Sequence, residues 1–327
     1  MILELDLLHR TGATRGLIIS YIVHVITLPI CLSSPEQQQA TSINVMNEQD
    51  KDLIASLDER LRNTLSTTGG VDSEGRVYKT IHELWESELL GEENGSLKGK
   101  RWYSQAKDYW DDEGNCPSTV DGVLGGFASI SEMDIVGSRN FLLELSRRFP
   151  SLCLEGGSCC DCGAGIGRIS KGLLLPLGFK RCDLVEVSQR LLFSAPEYIG
   201  DDLAGNRCRY LCVGLQDFCP KPSTYDLIWI QWVIGHLTDG DCVRFLERCR
   251  VSLKPGGMIC IKDNTSATDT FVVDKNDSSL TRSLPYLLHL CEITGLNVVH
   301  QKVQNNFPTD IYPVHILALG SRTELKC

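Results

Sequence analysis

The stretch CCDCGAGIGR, residues 159–168, sets three cysteines and three glycines in ten positions. Its reading decides the fold, because bare backbone of this kind suits several different ligands. A metal is the first. Cys159 and Cys160 are neighbours in an extended run, so their side chains point to opposite faces and do not share an ion. No His/Cys pair elsewhere completes a zinc spacing, so no metal is expected. A dinucleotide is the second. Its G-x-G-x-x-G fingerprint needs a third glycine for close helix–strand packing. Here Gly163, Gly165 and Gly167 are followed by Arg168 in that place. A P-loop is the third, and no Gly-Lys-Ser/Thr follows. The cysteines are read as strand core, and the glycines as a strand-to-helix turn that lets a ligand touch backbone.

Around this turn the chain alternates short apolar runs with longer amphipathic ones. SCCDCG (158–163), RCDLVEVS (181–188), RCRYLCVG (207–214), YDLIWIQWV (225–233) and MICIKDN (258–264) read as strands. GRISKGLLLPL (167–177), QRLLFSAPEYIG (189–200) and DGDCVRFLERCRVSL (239–253) read as helices, with another near 277–293. GLNVVHQKV (295–303) and VHILALG (314–320) close the chain as strands without a helix between them. The pattern predicts an α/β fold, a parallel sheet with helices on both faces and an antiparallel edge. Upstream, residues 34–50 and 66–75 read as linkers. DLIASLDERLRNTL (52–65), YKTIHELWESELLG (78–91) and RWYSQAKDYWDD (101–112) read as helices. The expected organisation is a partly disordered helical extension over 1–100 and an α/β domain over 101–327.

Across 327 residues, 42% hydrophobic and 23% charged content describe an ordinary folded chain. The net charge of -10 argues against direct nucleic-acid binding, which needs a basic face. Fifteen cysteines, odd in number and scattered through apolar runs, fit reduced thiols packed as small hydrophobes. GLIISYIVHVITLPICL (16–32) follows Arg10 and Arg15 and is short for a membrane span. It is read as part of the extension, with a targeting segment as the alternative. A membrane partner is not expected.

A ligand lying over the 163–168 turn meets a helix N-terminus and Arg168, both suited to a carboxylate, and Asp161, suited to an amine. Glu186, about 20 residues on at a strand end, stands where such folds put an acid on ribose hydroxyls. Carboxylate, amine and ribose without phosphate describe S-adenosyl-L-methionine. DCGAGIGRISK, VGLQDF, YDLIWIQWVIGHLTD, LKPGGMICIKDN and VDKNDSS, with YSQAKDYW, TVDGVLGGF and DIVGSRNFL, then resemble one family. It is the alpha-N-terminal protein methyltransferases, and the resemblance runs from about Trp102 to Gly320.

The resemblance implies the seven-stranded, Rossmann-like sheet of class I SAM-dependent methyltransferases. It also implies methyl transfer to the free α-amine of proteins beginning Xaa-Pro-Lys/Arg. Partners would be such N-terminal tails, histones or chromatin-associated proteins among them, in nucleus and cytoplasm. Cofactor contacts carried over fall on Gly163, Arg168, Glu186, Leu215, Gln216 and Gln231. Substrate contacts fall on Trp110, Leu124, Trp232, Asn264, Asp274, Ser279 and Tyr312, and catalytic roles on Asp277 and His236. The residue types suit these roles. A protein α-amine has a reference pKa near 8, so the site must attract an ammonium and then remove its proton. Asp277 suits the first task and His236 the second. Trp229 and Trp232 are expected on opposite faces of one strand, with Trp229 in the core. The chain departs from the family pattern at Glu186, at Lys275 between the acids, at His315, and by one extra residue in NTSATDTFVVD. A small-molecule amine methyltransferase and a non-catalytic SAM-binding adaptor are the alternatives.

Overall fold

A computed structural model describes residues 68–90, 92–93, 96–309 and 311–321. The apolar segment 16–32, the polar stretch 34–50 and the helix expected at 52–65 lie outside the described residues. In chain order the elements begin with β1 (Gly70–Asp72), β2 (Val77–Tyr78), α1 (Ile81–Leu89), β3 (Glu92–Glu93), β4 (Ser96–Leu97) and α2 (Lys98–Asp111). They continue with α3 (Val120–Val123), α4 (Ser131–Arg148), β5 (Ser158–Cys162), β6 (Arg181–Glu186), α5 (Gln189–Ile199), α6 (Asp201–Ala204) and β7 (Cys208–Cys212). β8 (Tyr225–Gln231), α7 (Asp239–Ser252), β9 (Leu253–Asn264), β10 (Phe271–Asp274), β11 (Ser279–Thr281), α8 (Leu284–Ile293), β12 (Leu296–Val303) and β13 (Val314–Ser321) complete them.

The main sheet has seven strands in the order β12-β13-β9-β8-β5-β6-β7. β5 through β9 pair in parallel, while β13 runs antiparallel to both β9 and β12, as the two closing runs predict. The chain leaves β5 toward β6 and β7, then returns to β8 on its other side. That reversal opens a crevice at the carboxyl ends of β5 and β8, where open α/β sheets bind ligands.

Both faces of the central strands are buried, which is why they read as continuous apolar runs. Cys160, Cys162, Ile228 and Ile230 face a core shared with Phe245, Leu246 and Leu290. Cys159, Cys182, Leu227 and Trp229 face the opposite core, with Phe141, Leu145, Leu174 and Phe179. Adjacent Cys159 and Cys160 therefore do diverge, and neither is in a disulfide.

Four expectations need correction. The stretch 66–75 is not simply linker, since Gly70–Asp72 forms β1, pairing in parallel with β10 and antiparallel with β2. The sheet β11-β10-β1-β2 thus joins the segment before residue 100 to the segment after 270. Tyr78, Ile81 and Leu84 are buried in the core on one face of the main sheet, and Trp85 packs edge-on to Trp102 at 5.3 Å. At about 2 kcal/mol for each buried large side chain, this packing holds a short helix that would not persist alone. The folded unit therefore reaches back to at least Gly70, and residue 100 is not its border.

The helix expected over 167–177 is present but carries a wide turn, Ser170–Leu174, in which the Leu175 N–H bonds the Ser170 carbonyl. Regular bonds flank it, from the Lys171 N–H to the Gly167 carbonyl and from the Leu177 N–H to the Leu173 carbonyl, while Pro176 has no N–H to give. The helix placed near 277–293 begins only at Leu284, capped by Ser283. Residues 279–281 are strand. Finally, Trp232 is not in the strand of Trp229. β8 ends at Gln231, and Trp232 takes a left-handed φ of 51°. That conformation is rare for a bulky residue and marks a functional or strained turn.

Candidate functional site

The glycine turn is fixed from below. The Gly163 and Ala164 N–H groups donate to the Val185 carbonyl at 2.9 and 3.1 Å, tying the turn to the end of β6. Gly163 has φ 72°, and a Cβ there would lie 2.6 Å from the Val233 Cβ. Only glycine fits. Glu186 accepts the Gly165 N–H at 2.9 Å and the Ser188 N–H at 2.8 Å. Burial nevertheless pushes its carboxyl above the usual glutamate range, these N–H groups pulling it back.

Two adjoining cavities open over the turn, sharing Trp110, Gly163, Glu186, Val187, Val233 and His236. The first adds Leu215 and Gln216, the second Arg168, Gln231 and Trp232. Arg248 of α7 holds the Leu215–Gln216 loop, donating to both carbonyls at 3.0 and 2.9 Å. The six expected cofactor residues thus line one continuous groove.

Beneath the second cavity sits a residue that sequence reasoning missed. Asp134, fully buried on α4, pairs with Arg168 at 2.8 Å and Lys262 at 2.5 Å. It also accepts from the Gln231 amide at 2.9 and 3.0 Å. The Gln231 carbonyl accepts from the Trp229 indole at 2.9 Å, so this side chain is spent on the scaffold rather than free for a ligand. Lys262 is also buried, donating to Ser138 at 2.9 Å and Gln304 at 2.8 Å. Burial pulls its ammonium down, against the attraction of Asp134. Two cations facing one carboxylate leave an excess positive charge. Arg168, which lines the cavity and stacks 5.5 Å from the Trp232 ring, carries it toward the groove. That suits a ligand carboxylate. Asp161, expected to meet an amine, instead caps the wide turn. It accepts from the Ser170 N–H and hydroxyl at 3.0 and 2.7 Å, and burial raises it to about 6.

At the other end, the Trp110 indole donates to His236 Nε2 at 3.1 Å. An indole only donates, so Nε2 is unprotonated and Nδ1 carries the proton, donating to the Ser278 carbonyl at 3.2 Å. The ring is thereby held between α2 and the β10–β11 turn. Arg282 supports its loop, donating to the Ile234 and Leu237 carbonyls and pairing with Asp239 at 2.9 Å. The Trp102 indole donates to the His236 carbonyl at 2.9 Å.

Asp277 is half-buried beside His236, and its Oδ1 meets no donor. Burial lifts its carboxyl above the usual aspartate range, opposed by the Ser279 hydroxyl. Asp263, also missed by the sequence reading, has a buried Oδ2 without a donor and is raised by burial to about 6, opposed in part by the Asn264 N–H. The Trp232 indole nitrogen is buried without an acceptor. Two unmatched acceptors and one unmatched donor around a neutral imidazole suit an amine next to a peptide carbonyl.

The remaining expected residues are spread more widely. Asn264 ends β9 half-buried, opposite Val314, and Asp274 is exposed at the end of β10. Ser279 opens β11. Leu124 is buried beyond α3, and Tyr312 is 41% exposed before β13. None of these five residues, nor Asp277, lines the two cavities.

Comparison with known proteins agrees with this geometry. Residues 98–320 match the family model of the AdoMet-dependent proline di-methyltransferases. The N-terminal Xaa-Pro-Lys N-methyltransferase 1 of Danio rerio is 49% identical over 219 residues, covering 67% of this chain and 95% of its own length. The alpha N-terminal protein methyltransferase 1 of Dictyostelium discoideum is 43% identical over 261 residues, covering 79% of this chain and 92% of its own. A match that long reaches back to about residue 70, in keeping with the fold. A solved SAM-dependent methyltransferase of Leishmania major superposes with a TM-score of 0.69 at 38% identity, over 78% of this chain and 96% of that one. The chain belongs to the AdoMet-dependent proline di-methyltransferase family.

Proposed function

We infer that the chain is a SAM-dependent enzyme that methylates the free α-amine of proteins whose N-terminus reads Xaa-Pro-Lys. The observation that carries this reading is the unpartnered, half-buried Asp277 oxygen beside a histidine held in one neutral tautomer. The residues of the groove fit S-adenosyl-L-methionine. Gly163 gives backbone contact, Glu186 offers a carboxylate able to accept from two ribose hydroxyls, and Arg168 brings the excess positive charge for the carboxylate. When bound, this cofactor supplies a methyl group on a positively charged sulfur.

The chain's own residues prepare the nucleophile. Asp277, with Asp274 at the rim, draws in the ammonium. Nε2 of His236 is the ring nitrogen with a lone pair, and the Trp110 N–H keeps it aimed into the groove. It accepts the amine proton once the substrate N–H replaces the indole as its partner. Because in-line transfer depends on alignment, the clamps on the His236 loop are part of the rate enhancement. The acidic rim also suits basic tails, histone tails among them.

Two measurements test this. Labelled methyl should enter a peptide beginning Xaa-Pro-Lys and not the same peptide with an acetylated amine. Equal labelling of both would reject α-amine specificity. Donor binding should also depend on pH through Glu186. A raised carboxyl takes up its proton at a higher pH than usual, so the acceptor form is lost as pH falls. Calorimetry should show weaker donor affinity at pH 5 than at pH 7.5. Glu186→Gln should bind more weakly at pH 7.5 and with a flatter pH dependence. An unchanged affinity in Glu186→Gln would remove that residue from the cofactor site.

A further inference from the structure

We propose that Glu88, on α1, determines how strongly the site prefers a basic third residue in the substrate tail, by neutralising Lys275. The proposal rests on the reading above and deepens it. Lys275 interrupts the acidic rim, standing between Asp274 and Asp277, where a free ammonium would repel the substrate's lysine. Its ammonium is instead paired with the Glu88 carboxylate at 2.6 Å, both side chains being mostly covered.

The pairing is built, not incidental. The Lys275 N–H donates to the Ser73 hydroxyl at 3.0 Å, and its carbonyl accepts from the Gln105 amide. The strand before it is locked to β1, with the Ser73 N–H bonded to the Val273 carbonyl at 2.8 Å. Three elements before residue 112 therefore fix where this lysine sits, and one of them supplies its counter-charge. With the pair intact the rim presents the two charges of Asp274 and Asp277. With Glu88 neutral, Lys275 cancels about half of that field.

The test is steady-state kinetics on the full chain with two peptides, identical except for Lys or Gln at the third position. In Glu88→Gln the preference for the Lys peptide, as a ratio of kcat/KM values, should fall about fivefold, and added salt should narrow the difference. Glu88→Gln with Lys275→Gln should restore the ratio. Lys275→Gln alone should not lower it, and calorimetry should show the same donor affinity in all variants. An unchanged ratio in Glu88→Gln, no rescue in the double variant, or a lower ratio in Lys275→Gln would each overturn the proposal. A wild-type chain that binds the donor yet methylates neither peptide would instead reject the underlying reaction.

Discussion

Replacing Asp134 with alanine is expected to lower the unfolding free energy by about 3–5 kcal/mol, because it strands two buried cations. Arg168 and Lys262 lose their common anion in a place where Lys262 is fully buried and Arg168 nearly so. Urea unfolding should report the loss as an earlier midpoint at unchanged slope. The effect on binding should go further than stability. Without its counter-ion Arg168 has no fixed aim, so donor affinity should fall even where the variant is fully folded. A midpoint within experimental error of the wild type would mean that the cluster is not a stabilising hub.

Asp277→Asn should leave donor binding intact and reduce kcat/KM for the Xaa-Pro-Lys peptide by about 10²–10³-fold, the range for losing one charged catalytic contact. The side chain keeps its shape and hydrogen-bonding reach, so the loss isolates charge. A His236→Gln variant should fall by a similar factor, and the double variant by much less than the product, since both serve one proton. Additive losses would indicate that the two residues act in separate steps.

Much of the fold was legible because its signals are local. The glycine turn and the continuous apolar strand runs each sit within ten or so residues, and the parallel sheet with its antiparallel edge follows from them, while the resemblance supplied the class of that sheet. Trp232 was misread because nothing in IQWV announces a left-handed residue. Asp134 was invisible for a different reason. In SEMDIVG it looks like an ordinary acid in a helix's first turn, and its partner Lys262 lies 128 positions away. Asp263 hid inside a motif whose next residue, Asn264, drew the attention. Of the expected substrate residues, Trp110 and Trp232 line the cavities, while Leu124, Asn264, Asp274, Ser279 and Tyr312 lie outside them.

The parallel pairing of Gly70 with Phe271 also constrains biosynthesis. These strands are separated by roughly 200 residues, so at the usual 5–20 residues per second about 10–40 s pass before the second leaves the ribosome. During that interval β1 has a naked edge, and the apolar side of α1 has nothing to cover. Nascent chains of this protein should therefore depend on chaperones, and the β10–β11 turn should be among the last parts to become protease-resistant. Such high contact order makes maturation slow.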